Sequence, residues 1–167
     1  KESTAYAKEK KAHDIICEYV EYEEGTYDQT AYSAVMQKKT VCAGYAKLYS
    51  MLTNAAGLET VSVTSATHGW NRTKLGNQWY NVDLTWDDGS PISYQFFNKS
   101  DATMEKYDGS SRESHTQNHY YDGVAPGCES DYGASVTVVD AEQIHADTAT
   151  VVLDLVNNQS GQIRTSF

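Results

Sequence analysis

Residues 68–86 run His68-Gly-Trp-Asn-Arg-Thr-Lys-Leu75-Gly-Asn-Gln78-Trp-Tyr-Asn-Val-Asp83-Leu-Thr-Trp86. Two candidate strands, 68–75 and 78–86, flank Gly76-Asn77, a two-residue loop of the kind that closes β-hairpins. With those two residues as the whole loop, Leu75 pairs with Gln78 and paired residue numbers add to 153. Trp70 then lies opposite Asp83, and His68 opposite Thr85. Paired residues share a face of the sheet, as do residues two apart on one strand. His68 and Asp83 are therefore diagonal neighbours, ~7–8 Å apart at the backbone and within reach of an imidazole and a carboxylate. A loop one residue longer or shorter would put them on opposite faces.

Working back along the chain, Thr60 to Thr67 is β-rich, and before it Gly57 stops a helix that starts near residue 41. Val41, Tyr45, Leu48, Leu52 and Ala55 fall on one face of that helix, and Thr40 is placed to cap it. Cys42 then lies in the first turn, where the helix dipole favours a thiolate and the backbone N–H groups have no helical acceptor. Ala43, Gly44 and Ala46 are small, which lets another element approach this end closely. A thiol at a helix start, an imidazole and a carboxylate that can steer it are the parts of a nucleophile, a base and its orienting group. Singly, each has a plainer reading: a buried cysteine, an exposed strand histidine and a surface aspartate.

Taken in order, Val41-Cys-Ala-Gly-Tyr-Ala46, His68-Gly-Trp-Asn71 and Trp79-Tyr-Asn-Val-Asp-Leu-Thr-Trp-Asp-Asp88 resemble the linked motifs of the transglutaminase-like superfamily, over roughly residues 30–100. The closest flavour is the compact bacterial form. The resemblance implies an α+β, papain/transglutaminase-like fold, with N-terminal helices and the catalytic helix packed on an antiparallel β-sheet. It implies Cys42 as nucleophile, His68 as base and Asp83 as third member of a triad. An upstream oxyanion donor is also expected, with Gln37 and Tyr32 as candidates. Trp70, Tyr45 and Trp86 are substrate-groove candidates; the aromatics of the hairpin, Trp70, Trp79, Tyr80 and Trp86, more often read as sheet core. The activity expected is cysteine-dependent acyl transfer on amide or peptide bonds through a thioester, with water as acceptor (peptidase or deamidase). The alternatives are a protein-crosslinking transglutaminase and a non-catalytic surface-binding module that keeps the fold. The substrate class is a protein or peptide, including a cell-wall or surface peptide, and the setting is extracellular or at a bacterial cell surface.

The remaining sequence sets limits. With 167 residues and 40% hydrophobic content the chain is long enough for a real core. A formal charge of −10, with only Lys8, Lys10 and Lys11 as a short basic run, argues against a nucleic-acid partner. No apolar run reaches the ~20 residues of a membrane helix, so membrane insertion is not expected. The start at Lys1 is expected for a piece of something longer. Thirteen tyrosines suit a binding surface or half-exposed sheet faces. Three widely spaced cysteines, Cys17, Cys42 and Cys128, leave at least one free thiol and show no CxxC. No metal and no cofactor are called for: His13/Cys17 and His115/His119 are half-sites without completing ligands, and Asp87-Asp88-Gly89 reads as a turn rather than a calcium loop. Asn71, Asn98 and Asn158 head glycosylation triplets, relevant only to a eukaryotic secretory source.

Helices are predicted over 5–22, stopping at Gly25, and over 28–36 with Asp28 as N-cap. A strand is predicted to start among Tyr94, Phe96 and Phe97, and 98–133 reads as irregular. The expected division is a catalytic domain over 1–133 and a β-rich segment over 134–167, with strands at 136–139 and 150–156, that completes the sheet or starts an appended module.

Overall fold

The computed structural model describes residues 4–108, 115–118, 125 and 127–133. Its centre is a four-stranded antiparallel sheet of β3 (Glu59–Thr64), β4 (Gly69–Leu75), β5 (Gln78–Val82) and β6 (Phe97–Lys99), ordered as written. Helices α1 (Ala5–Tyr19) and α2 (Cys42–Ala55) cover one face, and α4 (Asp101–Asp108) lies on the other; α3 is the short turn Leu84–Asp87. The α+β class with a helix laid on an antiparallel sheet is the architecture expected from the sequence. No helix among the described residues is long and apolar enough to cross a membrane. The segment 134–167, its expected strands and Asn158 lie outside the described residues.

The hairpin register is the expected one, from Leu75↔Gln78 to Asn71↔Val82. Gly76 takes φ 62°, the glycine place of a type II′ turn. The second strand, however, ends at Val82 rather than 86. Asp83 Oδ1 accepts from the N–H groups of Thr85 (2.9 Å) and Trp86 (3.3 Å), so Asp83 is the N-cap of α3 and turns the chain out of the ladder.

Alternate residues of β4 serve the two cores. Trp70 joins Val63, Phe96, Met104 and Ala125 on the α4 side. On the helix side, Ile16, Val20, Tyr45, Leu48, Tyr49 and Val82 form the larger cluster. Three of the five residues of the predicted α2 face, Val41 among them, are buried. Tyr45 and Leu48 are buried, but Leu52 and Ala55 are exposed, and Tyr49 and Thr53 are buried instead. A 3.5-residue repeat drifts off a 3.6-residue helix, so the outer members of the chosen stripe rotate to solvent. In α1, Ile15 and Tyr19 are each 43% exposed. Glu9 and His13 occupy the buried stripe because Asn98 and Tyr49 bond the first, and Asp87 lies against the second.

Other expectations are corrected by local competition. The first helix ends at Tyr19, not 22, because Glu21–Tyr22 (β1) pairs in parallel with Lys39–Thr40 (β2). Asp28 caps no helix: its carboxylate accepts from Gly25 N, and a π-helical turn forms later, over Ser33–Gln37. Thr40 does not cap α2; its hydroxyl donates to the Asp28 carbonyl and lies 2.8 Å from Ser33 Oγ. Within the stretch read as irregular, α4 forms around a single apolar anchor, Met104, too little to register as periodicity. Asn71 and Asn98 are buried, so neither is open to glycosylation.

Candidate active site

Three elements converge at one end of the sheet. Cys42 is the first residue of α2 and is half-buried. The approach is allowed by small residues, as their spacing suggests. A Cβ on Gly44 would lie 1.7 Å from Thr40 Oγ1, and Gly69, next to His68, sits against the Ala43 backbone. Asn71 fixes helix to sheet: its Nδ2 donates to the Ala46 carbonyl (2.9 Å) and reaches Ser62 Oγ (3.2 Å). His68 is held in a turn before β4, where its carbonyl accepts from Ser65 N and its N–H donates to Ser65 Oγ.

The His68 and Asp83 side chains, expected as diagonal neighbours, meet at 2.6 Å between Nε2 and Oδ2. Burial alone would raise the Asp83 pKa. The charge of His68 and hydrogen bonds from His115 and His68 outweigh it and hold the carboxyl at about 2. Asp83 is therefore an ionised acceptor, and Nε2 of His68 is a donor. Burial works against a charged imidazole at His68. The Asp83 carboxylate, its hydrogen bond and a further side-chain hydrogen bond with Cys42 prevail and raise its pKa to about 10. With Nε2 turned to Asp83, Nδ1 is the nitrogen left for the sulfur. The ring is walled by Trp70, parallel at 6.2 Å, and by Trp86 at 5.8 Å.

The structure adds a residue that spacing did not single out for this site. His115 Nε2 lies 3.0 Å from the same Asp83 Oδ2, and its Nδ1 lies 2.5 Å from Asp108 Oδ1. A cluster of ligand-type atoms results, with His68, Asp83 and His115 within 4.8 Å of one another. The N···O separations of 2.6 and 3.0 Å are hydrogen-bond lengths. They are shorter than the ~3.3 Å edge of a zinc tetrahedron with ~2.0 Å bonds, so the group is arranged as a hydrogen-bonded chain. His119 is outside the described residues. His13 lies 4.0 Å from Cys17 Sγ, with its ring nitrogens against Asp14 and Asp87. Asp87 and Asp88, in the turn beyond, are occupied by Phe96 N and the Tyr45 hydroxyl.

Of the remaining candidates, Gln37 and Tyr32 are both exposed. Tyr32 lines a small hollow of about 300 Å³ with Tyr27 and Thr30, and the two tyrosine rings meet edge to face at 6.3 Å. Tyr45 and Trp70 are each 1% exposed and are core, not groove: the Tyr45 hydroxyl is drawn to Asp88, and Trp70 Nε1 donates to Asn81. Trp86 alone of the three reaches the surface. All three cysteines are free thiols. Burial, then nearby carboxylates, push the Cys17 thiol far up, and burial pushes Cys128 up to about 12.

Among curated proteins none matches in sequence. Solved structures with similar backbones include a TGase (16% identity, TM-score 0.45, 50% of this chain and 27% of that one). A candidate cysteine protease from Cytophaga hutchinsonii is another (22%, 0.41, 48% and 31%). A third is menin, in a structure that reveals its binding site for the Mixed Lineage Leukemia protein (13%, 0.41, 95% and 37%). The chain thus spans well under half of each of these chains, and the likeness is one of backbone alone. A family model described as the transglutaminase-like superfamily matches residues 1–84, half of the chain and the part that holds Cys42, His68 and Asp83, and the chain belongs to that superfamily.

Proposed function

We propose that the chain performs cysteine-dependent acyl transfer on amide or peptide carbonyls, with hydrolysis as the outcome. The observation that carries this reading is the buried His68–Asp83 hydrogen bond of 2.6 Å, with the Cys42 thiol at the start of α2 among the groups that raise the His68 pKa. Membership of a superfamily built on cysteine acyl transfer supports the same chemistry. Cys42 sulfur, as thiolate, attacks the carbonyl carbon; the C–O π pair moves to oxygen, and the oxyanion meets the first-turn N–H groups of α2. Collapse breaks the C–N bond, and His68 gives its Nδ1 proton to the departing amine or ammonia. The thioester is then opened by water, whose proton passes to His68 as the sulfur leaves. Asp83 keeps the imidazole in the tautomer that makes both transfers possible. Gln37 or Tyr32 supplies the second oxyanion donor in this proposal, once substrate closes over the 27–37 segment. The substrate class is a protein or peptide, in the secreted or surface setting that the resemblance suggests.

The test is alkylation by iodoacetamide at pH 6–7, read by intact mass, with a glutamyl chloromethylketone as active-site probe. One adduct is expected, on Cys42, and lost in His68→Ala. Ammonia release with no incorporation of a fluorescent amine is the expected result on glutamine peptides; amine incorporation would replace hydrolysis by cross-linking. A Cys42 as inert as Cys17 and Cys128 would remove the catalytic reading altogether.

A further inference from the structure

The attack and the two proton transfers use one imidazole, yet two are buried against Asp83. His115 is 5% exposed. Its ring stands edge-on to Trp86 (4.7 Å), Trp70 (5.1 Å) and His68 (5.4 Å). It is held from both sides in sequence. Upstream, Asp108 at the end of α4 accepts from the His115 N–H (2.8 Å) and bonds Nδ1. Downstream, Asn118 is bonded to Thr64 and Ser65, at the turn that carries His68. A side chain pinned this way is delivered to Asp83 rather than left near it by chance.

The hydrogen inventory gives that contact a direction. Asp83 accepts four hydrogen bonds: two backbone N–H groups of α3 on Oδ1, and the two imidazoles on Oδ2. An ionised carboxylate has no proton to give, so His115 Nε2 carries one. On the other side of the ring, Nδ1 lies 2.5 Å from Asp108 Oδ1. The charged groups against this ring are Asp83 from the β5–α3 junction, Asp108 from α4 and His68 from the β3–β4 turn.

We propose that His115 is a positioning residue for the triad: its Nε2–H fixes Oδ2 of Asp83 in line with His68 and so holds the His68 tautomer that faces Cys42. This rests on the acyl-transfer reading above. It differs from a purely structural role, in which His115 ties α4 to the sheet through Asp108 and its contact with Asp83 is incidental.

The two ring nitrogens separate these roles. A Gln amide reaches the place of Nε2 and keeps the donor to Asp83. An Asn amide reaches only the place of Nδ1 and keeps the bond to Asp108. His115→Phe preserves ring volume among Trp70, Trp86 and Phe96 and keeps neither donor. The readout is the rate of Cys42 carbamidomethylation from pH 5 to 9, with thermal midpoints reporting folding. Expected at pH 6.5 is a loss of about tenfold in His115→Asn and His115→Phe, the scale of one hydrogen bond to a charged acceptor. His115→Gln should stay within about threefold of wild type, since a neutral donor replaces the ring donor at the same place. Should the variants not fold, imidazole 15N–1H correlation on the wild-type protein reads the same claim: a proton on Nε2 of both His68 and His115 between pH 5 and 8. Wild-type rates in the Asn and Phe variants, a Gln variant as slow as Asn, or a bare His115 Nε2 would each overturn the proposal. If wild-type Cys42 reacts no faster than in His68→Ala, the acyl-transfer reading itself falls; if that difference stands while the His115 variants are silent, only the role of His115 falls.

Discussion

Asp83→Asn changes one atom at the junction of fold and chemistry, and the surrounding donors dictate how the site responds. Both carboxylate oxygens face donors only: Thr85 N and Trp86 N at Oδ1, His68 Nε2 and His115 Nε2 at Oδ2. An amide offers one acceptor, so its NH2 group must meet donors wherever it turns. The backbone N–H groups of α3 cannot turn away, whereas an imidazole can change tautomer. The amide oxygen therefore stays on α3, and Asn still caps it. The NH2 then faces His68, which must accept at Nε2 and carry its proton on Nδ1, towards the sulfur it deprotonates in the proposed reaction. At the same time the charge that opposed burial is gone, so the His68 pKa falls from about 10 to below its ordinary 6.5.

Two hydrogen bonds between imidazoles and a buried carboxylate set the magnitude. At roughly 1.5–3 kcal/mol each, they amount to about 3–6 kcal/mol withdrawn from the charged form of the site. With about 1.36 kcal/mol per factor of ten, Cys42 alkylation or acylation at pH 6.5 should slow on the order of 10²–10⁴-fold. Global stability should fall less, by about 3 kcal/mol, because the cap survives and the ring can discharge. The assay is iodoacetamide labelling followed by intact mass, with urea unfolding in parallel. The buried Cys17 and Cys128, whose thiols are pushed up, keep the background silent. A folded Asp83→Asn protein that labels at the wild-type rate at pH 6.5 would refute the tautomer argument.

Unfolding free energy should itself depend on pH through this pair. The part carried by the raised His68 pKa is fully present below pH 6.5 and lost as pH rises through about 10. The part carried by the depressed Asp83 pKa is present above pH 3.8 and lost as pH falls through about 2. In urea titrations from about pH 3 to 10, the stability difference between wild type and Asp83→Asn should be greatest between pH 3.8 and 6.5 and shrink on either side. Glu9 works in the opposite sense. Burial, against hydrogen bonds from Asn98 and Tyr49, raises its pKa to about 7, so the fold loses stability as pH rises from 4.5 to 7. Glu9→Gln should remove that decline, a relative gain of roughly 3 kcal/mol at about pH 8 over pH 4.5 on the same urea titration. Gly44→Ala drives a methyl to 1.7 Å from Thr40 Oγ1 and 2.9 Å from the Thr30 carbonyl. It should cost about 3 kcal/mol in urea unfolding and slow Cys42 labelling, since Cys42 lies two residues before the displaced Cα.

What the sequence disclosed was whatever depends on local spacing. The Gly76-Asn77 loop fixes the register of 71–75 against 78–82, and from it the shared face of His68 and Asp83. Gly57, at φ 86°, stops α2 where expected and leaves Cys42 at the other end. What escaped depends on partners distant in sequence. Thr40 has the chemistry of a cap, but Ser33 and the Asp28 carbonyl take its hydroxyl first. Glu9 and His13 owe their buried places to Asn98 and Asp87, which arrive from the far side of the fold. Tyr45 and Trp70 sit beside motif residues, yet Asp88 and Asn81 draw them into the core. His115 stands 32 residues after Asp83 in a polar stretch without period, and only the anchors at Asp108 and Asn118 bring it back.

The loss of the Thr40 cap bears on the chemistry. A capping hydroxyl at the start of α2 would occupy one of the first-turn N–H groups. Here the N-cap is Val41, which offers no side-chain acceptor, and Thr40 is turned away into the 28–33 loop. The positive end of α2 is thus left to the Cys42 sulfur and, in the proposed reaction, to the oxygen of a substrate carbonyl. At α3 the opposite choice is made: Asp83 spends one oxygen on the cap and aims the other at His68. In the acyl-transfer proposal the uncapped helix start faces the electrophile, and the capped one steadies the base. Capping at α3 also sets which oxygen is free for the imidazole, so the geometry of a four-residue helix determines the alignment of the base.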